Sequence, residues 1–335
     1  MTSPSPPISP SPATSDADDL NALALPELYA CLRGTGLIRR VLELARDEDL
    51  GTAGDLTARV CVEPSRHAMA TLDAREAGVV AGLACIPDLL SVFAASCRVS
   101  EVAADGETIE PGRSLATFQG PARELLAMER TMLNLIGRLS GIATRTRQFV
   151  QAMRAGGPVR AELLDTRKTA PGLRVLEKYA VRCGGARCHR LGLHDAVLIK
   201  DNHLAGISLD TLGPLITRAS RAARQERLTD ATTALPPNAS PRFVEVEVTS
   251  LEQLDVLLAL PAGTVDIVLL DNMDQDAMRE AVCRRDARKS LIQLEASGGV
   301  RLESVRAIAL TGVERISAGT LTHGARALDV ALEFR

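Results

Sequence analysis

The stretch VRAELLDTRKTAPGLRVLEKYAVRCGGARCHRLGLHDAVLIKDNH, residues 159–203, decides the fold. It sets two short apolar runs, VRAELLD (159–165) and AVLI (196–199), on either side of a segment with helical spacing, LRVLEKYAVRC (173–183). Strand, helix and strand in that order form the unit of a parallel sheet. The same stretch carries Arg167, Lys168, Arg174, Lys178, Arg182, Arg187, His189, Arg190 and Lys200 with few acids. A run of like charge is ordinarily a solvated face. Here Arg167 and Lys168 follow one buried run and Lys200 closes the next, which gathers cations at one mouth of the sheet, where α/β folds keep their sites. Such a mouth attracts anions.

The alternation continues. Strands are predicted at residues 243–248, 265–270, 291–294 and 315–317, with helices in LDTLGPLITRASRAARQ, LEQLDVLLAL, QDAMREAVCRR and LESVRAIALTG between them. About six such units in succession predict closure into a barrel, complete or partial. Upstream, LNALALPELYACL and LIRRVLELARDEDL are helical in period, whereas HAMATLDA, GVVAGL, RVSEVA and RSLATFQG alternate as strands. A long helical pattern, ELLAMERTMLNLIGRLSGIATRTRQFVQAMRA, joins the halves, and Gly137 and Gly141 interrupt it without breaking it. The Pro- and Ser-rich residues 1–19 are expected to be disordered, and LTDATTALPPNASPR (228–242) reads as an exposed loop.

Composition excludes several classes. A chain of 335 residues with 46% hydrophobic content can bury a large core, and a net charge of −3 with 2% aromatic residues and no tryptophan argues against nucleic-acid binding. No apolar run approaches the ~18 residues that span a bilayer, and the opening residues lack a signal-peptide layout, so no membrane association and a cytoplasmic protein are expected. Seven scattered cysteines do not make a disulfide framework, and the spacing of Cys183, Cys188 and His189 is not that of a zinc knuckle.

Barrel chemistry sits at the strand ends. Reading them in order gives Arg167 and Lys168, then Lys200 with Asp201 and Asn202, then Glu247, then Asp271 and Asn272, then Ser297, Gly298 and Gly299, and last Gly319 and Thr320. Glu247 lies inside the apolar pattern VEVEV, where an unpaired carboxylate is costly, so it calls for a cation. A salt bridge would satisfy Glu247 or Asp271 singly; two hard oxygen donors on adjacent strands favour Mg²⁺ shared with a phosphate-bearing substrate. EASGGV and SAGTLTHGA follow the last two strands, where barrels cradle phosphate with backbone N–H groups. Arg130 and Asn134 lie one turn apart on the long helix, and spacing alone favours a surface salt bridge for Arg130.

With these residues in place, the sequence resembles the quinolinate phosphoribosyltransferase family through EDLGTAGDLT, ERTMLNLIGRLSGIAT, DTRKTAPGLRVLEKYAV, HRLGLHDAVLIKDNH, VEVEV, LLDN, EASGGV and ISAGTLTH. The resemblance implies an N-terminal α/β sandwich domain (residues 20–139, completed by 321–335) and an open, incomplete α/β barrel of parallel strands (residues 140–320), assembled at least as a homodimer. It implies transfer of phosphoribosyl from phosphoribosyl pyrophosphate to quinolinate with loss of CO₂, assisted by Mg²⁺. Arg167, His189 and Arg190 would hold the quinolinate carboxylates, with Lys200 close by, and Thr166 would be among the substrate-binding residues. Lys168 and Lys200 would face the phosphoribosyl donor, and Glu247 and Asp271 its ribose hydroxyls and the metal. Ser297, Gly298 and Gly319 would receive the 5′-phosphate, joined by His323, and Gly299, Ala318 and Thr320 would also be substrate-binding. Arg130 would reach the neighbouring subunit's site, against the reading from spacing.

The chain departs from the family pattern in GGARCHR, where Ala186 and Cys188 replace a glycine and an asparagine, a change expected to alter the loop beside the substrate. A phosphoribosyltransferase acting on nicotinate or another ring, such as the molybdate-associated relatives, is the nearest alternative. A silent barrel that binds phosphorylated metabolites is the alternative from another class.

Overall fold

The computed structural model describes residues 20–225 and 241–335. The tail expected at 1–19 and all but the last two residues of the loop expected at 228–242 lie outside the described residues. Helices α1 (Leu25–Gly34), α2 (Leu37–Leu50) and α3 (Leu56–Cys61) lead into strands β1 (His67–Ala74) and β2 (Gly78–Val79), helix α4 (Ile86–Phe93), and strands β3 (Arg98–Ser100), β4 (Thr108–Ile109) and β5 (Ser114–Pro121). Four strands form an antiparallel sheet in the order β12-β1-β5-β3, whose last member β12 (Val330–Phe334) returns from the end of the chain.

Helix α5 (Ala122–Arg154) has 33 residues and runs about 50 Å, enough to lie against both halves of the molecule. It packs both on strands of the sandwich and on helices of the barrel. The two glycines have a steric task. A Cβ on Gly137 would meet the Leu328 carbonyl at 2.8 Å, and one on Gly141 would collide with the Arg326 carbonyl. Their absence lets the chain cross the helix on its way back to the sandwich, where the Leu328 N–H donates to the Gly137 carbonyl at 2.8 Å.

The second domain alternates β6 (Glu162–Leu164), α6 (Arg174–Cys183), β7 (Val197–Ile199), α7 (Leu209–Gln225), β8 (Val244–Val248), α8 (Leu251–Leu258), β9 (Ile267–Asp271), α9 (Gln275–Ala287), β10 (Gln293–Ser297), α10 (Val305–Ala309), β11 (Arg315–Ser317) and α11 (Thr320–His323). Side-chain caps start two of these helices: Ser250 Oγ accepts from the Gln253 N–H and Asp274 Oδ1 from the Ala277 N–H. The strands pair in parallel in the order β6-β11-β10-β9-β8-β7. The edge strands β6 and β7 do not pair with each other, so the barrel is open. Residues 187–190 run through this seam, held to β6 by a single bridge between Leu164 and Arg187.

The strand expected at 291–294 is displaced. Leu291 is 94% exposed, and the ladder with β9 runs from Gln293 to Ser297. The register carries Ser297 into the sheet opposite Asp271. Among the described residues, no helix is long and apolar enough to cross a membrane.

Candidate active site at the barrel mouth

Glu247 is at the C-terminal end of β8, and its Oε2 accepts from Lys200 Nζ at 2.7 Å from the end of β7. The cation that VEVEV called for is therefore a lysine in this structure. Glu247 Oε1 has no protein partner among the described residues, and Asp271 ends the neighbouring strand with Oδ2 accepting from Asn272 Nδ2 at 2.8 Å. Two carboxylates on adjacent strands, each with an oxygen to spare, fit Mg²⁺, which takes few protein ligands and keeps several waters. Asn272 is left-handed at φ 53°, and a Cβ on Gly298 would collide with its side-chain oxygen. Glycine is thus required where the turn after β10 meets the turn after β9.

The last turn is built in the same way. A Cβ on Gly319 would lie 2.7 Å from Lys168 Cδ, 3.3 Å from Thr166 Oγ1 and 3.4 Å from His323 Cδ2, so these four expected residues converge. Thr322 Oγ1 donates to the Lys168 carbonyl at 2.7 Å, and Arg145 from α5 donates to the carbonyl and hydroxyl of Thr320 at 2.7 and 2.6 Å. Ala318 is buried, and Ser297, Gly298, Gly319 and Thr320 are half-buried. Lys168 is exposed and has no ion pair among the described residues.

Arg167 follows β6, and Arg190 lies within electrostatic reach of it. Arg167 is half-buried and its Nε is buried without a hydrogen-bond partner. Arg190 is 5% exposed and donates to the Ala196 carbonyl at 3.2 Å. Burial and the nearby Arg167 charge lower the Arg190 pKa, offset in part by Glu245 and Asp195. Two guanidinia within electrostatic reach of each other, one with a buried Nε–H unmatched, offer donors suited to an acid ligand.

Much of the cationic cluster of residues 165–203 does not reach the mouth. Lys178 is fully buried and its Nζ sits 2.5 Å from Asp165 Oδ1. Arg182 donates to the carbonyls of Leu20 and Leu23, Arg187 pairs with Glu162 at 2.8 Å, and Arg174 donates to Thr169 Oγ1. A helix packed on a sheet turns its own cations inward or sideways, and only those at strand ends face the opening.

His189, expected against a substrate carboxylate, is 5% exposed, with Nδ1 hydrogen-bonded and Nε2 within ion-pair distance of two carboxylates that have no hydrogen-bond partner on the facing oxygens. Nε2 lies 3.1 Å from Glu245 Oε2 and 3.3 Å from Glu295 Oε1, and Nδ1 accepts the Arg190 N–H at 2.8 Å. Burial pulls the imidazole pKa down, but Glu295 and Glu245 outweigh it and raise it to about 10. Burial and the Glu295 charge raise the Glu245 carboxyl. For Glu295, burial is overcome by His189 and Arg315, which hold it down to about 2. Because Nδ1 accepts the Arg190 N–H, the ring's hydrogen lies at Nε2, facing the two carboxylates.

The loop carrying Ala186 and Cys188 is not strained at the replaced positions. Neither residue has positive φ, and both are buried at 4% and 1% exposure. The Asn21 side chain accepts from the Cys188 N–H at 2.7 Å and donates to its carbonyl at 3.0 Å. Burial pushes the Cys188 thiol up to about 12, so it is a small hydrophobe. Glu245, Glu295 and Asn21 were not singled out in the sequence. Glu245 was within reach, since it shares a strand face with Glu247 two residues away.

Fold and mouth define a class: an open α/β barrel built to bind multiply anionic, phosphate-bearing small molecules. Residues 55–140 match the family described as quinolinate phosphoribosyl transferase, N-terminal domain, and residues 142–333 match its C-terminal domain. The nicotinate-nucleotide pyrophosphorylase [carboxylating] of Mycobacterium leprae is 42% identical over 300 residues, covering 88% of this chain and 96% of that protein. The probable counterpart of Bacillus subtilis is 38% identical and covers 85% and 89%. Among solved structures, the nicotinate-nucleotide pyrophosphorylase of Francisella tularensis superposes with a TM-score of 0.76 at 31% identity, covering 95% of this chain and 99% of that one. The chain belongs to the quinolinate phosphoribosyltransferase family.

Proposed function

We propose that this chain transfers the phosphoribosyl group of phosphoribosyl pyrophosphate to quinolinate, giving nicotinate mononucleotide, pyrophosphate and CO₂. The observation that carries the reading is the buried Arg167 Nε–H without a partner, with the Arg190 charge within electrostatic reach, because two such guanidinia suit a substrate bearing two carboxylates. A ring with one carboxylate would leave one of them unmatched.

The residues divide the work by position. Arg167 and Arg190 orient the dicarboxylate, with its ring nitrogen toward C1 of the ribose. Lys168, Thr166, Gly319 and His323 receive the 5′-phosphate together with the turn at Ser297, Gly298 and Gly299. As the C1–oxygen bond breaks, its electron pair leaves with pyrophosphate, and the carboxylates of Glu247 and Asp271 favour the positive character left on C1. Mg²⁺ held by Glu247 and Asp271 would neutralise the departing pyrophosphate. Quinolinate nitrogen bonds C1, and the resulting cationic ring accepts the electron pair of the adjacent C–CO₂ bond. CO₂ leaves, and that carbon takes up a proton. Quinolinate-dependent formation of nicotinate mononucleotide in the presence of Mg²⁺ tests the reading, and nicotinate as the preferred acceptor would overturn it.

The acting unit is a dimer or larger, in the cytoplasm, with Arg130 serving the partner's site. Arg130 is exposed, without an ion pair or hydrogen bond among the described residues, in a cleft of about 440 Å³ lined by Asn134, Arg138 and helix α2. Arg130→Ala and Glu247→Ala proteins are each inactive on this account. Mixed and allowed to exchange subunits, they should recover about a quarter of wild-type turnover, since half of a random mixture is hybrid with one intact site. Confirmed hybrids without activity would place Arg130 outside a shared site.

A further inference from the structure

Two fully buried carboxylates, Glu245 and Glu295, have no part in the chemistry above. Glu245 shares the inward face of β8 with Glu247, one layer deeper in the barrel, and Glu295 lies on β10 across the intervening β9. Both converge on Nε2 of His189. Arg315 Nε binds the other oxygen of Glu295 at 2.7 Å, and Phe243 packs edge-on against the imidazole with ring centres 5.3 Å apart.

The backbone of His189 is held as firmly as its ring. Its N–H donates to Asp165 Oδ1 at 2.8 Å, and its carbonyl accepts from Lys178 Nζ at 3.3 Å. With Nδ1 on the Arg190 N–H and Nε2 in ion-pair contact with the two carboxylates, each polar atom of His189 has a protein neighbour, although Nε2 lacks a hydrogen bond of good geometry. Yet His189 lies in the seam segment, where a single bridge to β6 replaces a strand ladder, and the next residue is Arg190. A seam that carries one of the two acid-binding guanidinia needs anchoring from elsewhere.

We propose that Glu245 and Glu295 are positioning residues for the acid-binding arginines. Gripping Nε2 from the far wall, they orient the imidazole so that Nδ1 fixes the Arg190 backbone and sets its guanidinium beside Arg167. His189 then acts through Arg190. This inference rests on the reading of Arg167 and Arg190 as the dicarboxylate site.

The test compares Glu245→Ala, Glu245→Gln and Arg167→Ala by steady-state kinetics with both substrates, alongside thermal melting. Glu245→Ala should raise the KM for quinolinate about tenfold, with kcat and the KM for phosphoribosyl pyrophosphate within about twofold of wild type. Glu245→Gln, which keeps an oxygen beside Nε2, should recover most of the loss. On a His189→Ala background, Glu245→Ala should add nothing further. Should Glu245→Ala not be recovered folded, Glu245→Asp withdraws the carboxylate by one methylene and is read in the same way. An unchanged KM for quinolinate, or a parallel rise of both KM values with a fall in kcat and melting temperature, would overturn the proposal. If Arg167→Ala also left the KM for quinolinate unchanged, the dicarboxylate reading itself would fall.

Discussion

Arg167→Ala should raise the KM for quinolinate roughly 30- to 140-fold while leaving the fold intact. Truncating one partner of a hydrogen-bonded charge pair costs about 2–5 kcal/mol when the pair is buried, and the half-buried position of Arg167 selects the lower part of that range, about 2–3 kcal/mol. Stability should not suffer. Arg167 has no ion pair among the described residues to lose, and its charge already lowers the pKa of buried Arg190. Removing it relieves a repulsion between two cations, so the melting temperature should stay level or rise. Titration of the variant with quinolinate checks the first claim and thermal melting the second. Wild-type affinity for quinolinate would remove Arg167 from the site.

Lys178→Met should have the largest effect on stability. Lys178 and Asp165 are both 0% exposed, and their contact ties helix α6 to the end of β6. Removing the cation strands a buried carboxylate, which typically costs about 3–5 kcal/mol. Burial raises the Asp165 pKa even beside Lys178, so the folded variant should take up a proton more readily than its unfolded chain. The loss relative to wild type should therefore shrink as pH falls and grow as it rises. Urea unfolding at several pH values measures this. A loss below about 1 kcal/mol at neutral pH would mean that Asp165 is satisfied by the His189 N–H alone.

The parts of the site legible in the sequence are those set by strand ends. In a parallel sheet the residue after a buried run faces the mouth whatever the rest of the chain does, so Arg167, Lys200, Glu247 and Asp271 could be named from position. Gly298 and Gly319 could be named as turn residues, but their reason could not. It lies in Asn272 and Lys168, which approach from other turns. The role of Lys178 was hidden because a cation within a basic run looks exposed, and only helix packing shows that this one turns inward to Asp165. The convergence of Glu245, Glu295 and His189 was least accessible, since it joins two non-adjacent strands to the seam of an open barrel. The open seam itself rests on the lack of pairing between β6 and β7, which periodicity does not reveal.

The central claim is that the mouth reads two carboxylates and expels one. Quinolinate labelled in its 2-carboxyl group, supplied with phosphoribosyl pyrophosphate and Mg²⁺, tests it most directly. The account predicts labelled CO₂ in equal amount to nicotinate mononucleotide formed, with nicotinate a poor acceptor in the same preparation. Nicotinate mononucleotide made from nicotinate, with no labelled CO₂ from quinolinate, would contradict it.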